Sequence, residues 1–218
     1  MGDIEKALGL AVRDLSDKNY EQSLTFCCFW IDIGRTYREI PLDQIVQIIS
    51  NNRVGVSFRS YGGSQLIHPT AHLIPRLAND VESDHNLAPY SSGLQSHLSR
   101  GFLQGFFDKN LEIVDYKLRG YDNRADGFYA DANLIAHSAN LGYVEEATIR
   151  NHILQSLISH PKLYDHQAEA LMIMFKLAGA TFAAYVDPSV VHRCFDLFKD
   201  HFTGRDLMRM KLVEVRVP

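Results

Sequence analysis

Cysteine is scarce in this chain, tryptophan occurs once, neither sign of charge dominates, and no long apolar run is free of charge. Each shortage removes a class of protein. Three cysteines, two of them adjacent at Cys27 and Cys28 and the third far off at Cys194, do not make a disulfide framework. A reducing, intracellular setting is expected, cytoplasmic or nuclear. The formal charge of -4, from 22 basic and 26 acidic side chains, argues against a broad nucleic-acid-binding surface, which needs a basic excess.

The longest apolar run, Ala168 to Val186, is interrupted by Glu169 and Lys176. That pattern reads as a core helix and leaves no membrane partner to expect. The N-terminus carries Asp3 and Glu5 and breaks its apolar run at Arg13 and Asp14, so no signal peptide is read there. A lipidation motif is not met either, since Lys6 stands where myristoylation would want Ser or Thr. At the other end, Val213, Val215 and Val217 alternate with Glu214 and Arg216 up to Pro218. Natural ends more often fray in polar residues, so the chain is expected to be a piece of a longer protein.

What is present is helical periodicity in a globular composition, 46% hydrophobic and 22% charged, with 218 residues to bury a core. Ile4, Leu8, Val12 and Leu15 predict a first helix, with Asp3 as its cap. Tyr20 to Tyr37 has two apolar faces, Leu24, Cys28 and Ile31 on one and Phe26, Trp30, Ile33 and Tyr37 on the other. It is expected to be a central helix, covered on both sides. Pro41 opens a short helix striped by Ile45, Ile48 and Ile49 and ending near Asn51 and Asn52.

Val54, Val56 and Phe58 alternate with Gly55 and Ser57, which predicts extended chain. Tyr61 to Ser64 reads as a turn. Pro69 and Pro75 divide or kink the helical pattern between Leu66 and Val81, and the polar stretch from Asn79 to Ser92 predicts a long loop. Leu94, Leu98, Phe102 and Phe106 restore the helical register, Leu111, Val114 and Leu118 predict a further short helix, and Gly120 to Gly127 a break. Phe128 to Leu141 is then a helix stopped at Gly142, and Glu145 to Ser159 another, with Ile149, Ile153, Leu157 and Ile158 inward. Asp165 caps the next helix, to Tyr185, whose covers are expected to be the helix ending at Ser159 and one opened by Asp187 and Pro188.

The fold class is therefore all-α. Stacked antiparallel helix pairs are expected, a helical array of the HEAT, ARM or MIF4G kind, with minor strands near 54–58 and 211–217. Residues 1–218 are read as one helical domain, with a subdivision into 1–90 and a repeat-like 91–218.

No motif in the sequence specifies a reaction. His68 and His72 in HPTAH lack a matching second ligand pair, and the adjacent Cys27 and Cys28 are a poor chelate, so no metal is expected. Gly62, Gly63 and Ser64 lack the lysine of a phosphate loop, Asp80, Glu82 and Asp84 lack the glycine and distal glutamate of a calcium loop, and Gly-x-Ser-x-Gly is absent. Ten histidines are read mainly as polar-face and helix-end residues. No cofactor is implied.

One region mixes aromatics and cations: Phe106, Phe107, Lys109, Tyr116, Lys117, Arg119, Tyr121, Arg124 and Tyr129. Such a mixture suits contacts with protein, or the stacking of RNA bases. These observations favour a non-catalytic scaffold that holds another protein, as a peptide or helix in a groove. A helical domain of an RNA-processing, RNA-silencing or translation factor is the alternative, and an enzyme whose residues converge only in the fold is a third. Self-association through 211–217 is also expected from its strand-like pattern.

Overall fold

The computed structural model describes residues 2–38, 40–57, 67–84, 93–113, 123–155 and 164–185, with 188–189, 192–193 and 196. Among the described residues every regular element is a helix. They are α1 (Gly2–Arg13), α2 (Tyr20–Arg38), α3 (Leu42–Ser57), α4 (Leu73–Ser83), α5 (Leu94–Glu112), α6 (Asn123–Asn140), a π-helix (Thr148–Leu154) and α7 (Asp165–Tyr185). The chain divides into two compact units, Met1–Phe102 and Leu103–Pro218, so the division falls inside α5.

In the first unit α1 packs on α2 and α3, and α4 on α2 and α3. Ile4, Leu8 and Val12 are buried on one side of α1, and Leu15 follows into the core. The turn to α2 is tied by Asn19, whose side-chain oxygen accepts from the Ser16 amide at 2.8 Å and hydroxyl at 2.7 Å while its amide donates to the Asp14 carbonyl at 2.6 Å. α1 and α3 approach closely at Gly9, where a Cβ would lie 2.9 Å from the Asn52 side chain. Only glycine permits that approach without displacement.

α3 runs on through Ser57, so the extended chain expected at 54–58 is helix over 54–57. Extending a helix that already exists gains a hydrogen bond for each residue fixed, which outweighs the weak preference of Val54 and Val56 for strand. Phe58 and the second expected strand, 211–217, lie outside the described residues. α4 likewise carries helix through Ser83, into the stretch expected to be a loop, and the rest of that stretch from 85 to 92 lies outside the described residues. Pro75 is tolerated in the first turn of α4, where an amide N–H has no helical partner to lose.

In the second unit α6 begins at Asn123, inside the segment expected to be a break. Every residue of α6 from Phe128 to Ala136 is buried. α7, which was expected to be covered by the flanking helices, packs chiefly on α6 and also on the π-helix. It keeps Lys176, Ala180 and Ala184 exposed at four-residue spacing. Alanine costs little when left in water, so an apolar composition does not require burial on every side. The alanines of α6 are small enough to let neighbours close around it.

Gly142 ends α6 as its position predicts, at φ 78°. Tyr143 N–H reaches the Ser138 carbonyl at 3.0 Å and Gly142 N–H reaches Ala139 at 2.9 Å, the paired bonds of a Schellman stop. The helix expected over Glu145 to Ser159 is a π-helix over Thr148–Leu154, with the Gln155 amide donating to the Arg150 carbonyl five residues back. The wider turn brings Ile149, Ile153 and Leu154 onto one buried side. α7 starts from Tyr164, whose carbonyl accepts from Gln167 and Ala168 while its own N–H donates to the Gln167 side chain at 3.1 Å. Gln167 thus closes the first turn of α7, and the side chain of Asp165, expected to cap it, lies outside the described residues.

Candidate functional site

Of the nine aromatic and basic residues singled out by the sequence, the side chains of Phe106, Phe107, Lys109 and Tyr129 are described, two of them buried and two partly buried. Phe106 is fully buried and stacks on Phe128 with ring centres 4.3 Å apart. Phe107 meets Phe106 edge-on at 5.7 Å and is partly buried. Tyr129 is 4% exposed and its hydroxyl donates to the carboxylate of Glu169 on α7. Lys109, on α5, pairs with the buried Asp131 carboxylate of α6 and also donates to the Gly127 carbonyl at 3.2 Å. Tyr116, Lys117, Arg119 and Tyr121 lie outside the described residues, as does the side chain of Arg124.

Around these groups the fold gathers polar residues that pattern reading passed over. Asn133 donates to the Tyr129 carbonyl at 2.8 Å, and Gln167 donates to the Asn110 side chain at 2.9 Å. His166 is buried, edge-on to Phe128 at 5.3 Å and parallel to Tyr164 at 5.9 Å. Asp131 and Asn133 stand inside an alanine-rich apolar helix, a signal that was legible, while Glu169 was read only as a break in an apolar run. Five ionisable side chains therefore share one region: Lys109, Asp131, Tyr129, Glu169 and His166. The lysine and the tyrosine spend their donors on protein acceptors, so the arrangement joins α5, α6 and α7 as a polar core.

In the first unit the cysteines are chemically quiet. Burial pushes the Cys27 thiol up to about 12, with the adjacent Cys28 a smaller cause, and burial followed by the Asp84 and Asp80 carboxylates pushes Cys28 up to about 12. Both are neutral at pH 7 and poor nucleophiles. Nearby, Tyr20 donates to Asp80 at 2.6 Å, and Arg76 lies 3.9 Å above the Tyr20 ring and 3.5 Å from the same carboxylate. Burial, and then the bond to Asp80, raises the Tyr20 hydroxyl well above its ordinary value. His72 stands 3.5 Å from Asp17. Among the described residues no three histidine, cysteine or acidic side chains are grouped to hold a metal ion.

The outer face of α2 is different. Cys27 and Ile31 turn inward with Tyr20, but Phe26 is 50%, Phe29 55% and Tyr37 74% exposed. Trp30 and Ile33 lie between them, partly buried, and Phe29 meets Trp30 edge-on at 5.3 Å. The second apolar side of this helix, expected to be covered, is thus open to solvent. At ~1.5 Å per residue the stripe from Phe26 to Tyr37 is about 16 Å long. Gln22, Thr25 and Thr36 border it together with Asp32, the two threonine hydroxyls donating back to the Glu21 carbonyl at 2.9 Å and to the Asp32 carboxylate at 3.1 Å.

Comparison with protein-family models, with curated proteins and with solved structures gives no match. No described helix is long and apolar enough to cross a membrane. The class defined so far is a protein all-helical among the described residues, with a hydrogen-bonded polar core in one unit and an open aromatic helix face in the other.

Proposed function

We propose that this chain is a non-catalytic scaffold domain, a stacked helical array that holds another protein on the outer face of α2. The observation that carries this reading is the exposure of Phe26, Phe29 and Tyr37 in one stripe. Together they leave on the order of 350 Å² of mostly apolar surface in water, taking roughly 200 Å² for a whole aromatic side chain. Single exposed apolar residues are ordinary, whereas a contiguous patch of this size matches the largest patch of an ordinary monomer, which is often functional. Covering it contributes a gross gain on the order of 9 kcal/mol at ~25 cal/mol/Å², from which the costs of association are subtracted. Aromatic anchors of this kind also dominate binding energy in protein interfaces.

A photoreactive side chain at position 29 or 37 tests the reading, with one at the exposed Lys18 as control. Crosslinked protein adducts are expected from 29 and 37 and not from 18. Equal yields at all three positions, or none at 29 and 37, would remove the proposal. Adducts that disappear on nuclease treatment would replace the protein partner with RNA.

A further inference from the structure

We draw no further inference here: the strongest candidate, the outer face of α2 that exposes Phe26, Phe29 and Tyr37, is an unpartnered apolar surface with nothing in the structure to show what covers it.

Discussion

Lys109 and Asp131 illustrate how far a residue's role depends on what surrounds it. Asp131 is wholly buried, and the lysine that neutralises it comes from another helix. Lys109→Ala leaves a carboxylate without its cation in a region of low dielectric. It is expected to lower the stability of the folded chain by about 3 to 5 kcal/mol in urea unfolding, whereas Lys109→Met with Asp131→Leu should recover most of that loss. The exposed expectation for Lys109, as a contact for protein or RNA, came from its neighbours in sequence; its partner sits 22 residues away.

The thiols provide a second test at this scale. Their folded values of about 12 lie above the ordinary 9.0, so below pH 9 both folded and unfolded chains keep the proton and the thiols add no slope. As pH rises past 9 the unfolded chain loses protons that the folded chain holds, and stability falls until about pH 12. Unfolding measured between pH 8 and 10.5 should show this decline, and Cys27→Ser with Cys28→Ser should flatten it. An equal slope in both proteins would mean that other groups, Tyr20 among them, account for it.

Among the elements, α7 shows a device that periodicity does not disclose. Ala178 leaves helical geometry at φ -135° and ψ 25°. Asn140, at the end of α6, donates to the Leu177 carbonyl at 2.9 Å and accepts from the Thr181 hydroxyl at 2.7 Å, so one side chain holds both flanks of the kink. Phe182 still meets Phe175 across it at 6.0 Å. Since Asn140 is exposed, water replaces part of what it provides, and Asn140→Ala should cost about 1 kcal/mol in thermal unfolding. No change at all would mean that packing alone maintains the kink.

The helix starts and stops with local chemistry were legible: the proline before α3 and the glycine after α6. Boundaries governed by neighbours were not. α3 and α4 run past their expected ends, α6 starts before its own, and the π-helix has the same apolar residues an α-helix would use. In α3 the hydrogen bond gained by each added helical residue exceeds the weak local preference against it.

At the scale of the whole molecule the two units place their polar and apolar surplus differently. The second unit hides charged groups, and the first displays aromatic ones. Phe26→Ser with Tyr37→Ser should leave the thermal midpoint of the protein unchanged, because both side chains already lie half or more in water.

By itself the sequence determined the all-helical class, the positions of most helices, and the inward stripes of α1, α3 and α5, because hydrogen-bonded turns and apolar spacing are properties of adjacent residues. It also contained both apolar sides of α2. Which side would be covered was decided only by the tertiary structure, as was the choice of α6 over α7 for the most enclosed position. Those outcomes depend on which surfaces remain when all the helices have packed, and no residue's neighbours in sequence carry that information.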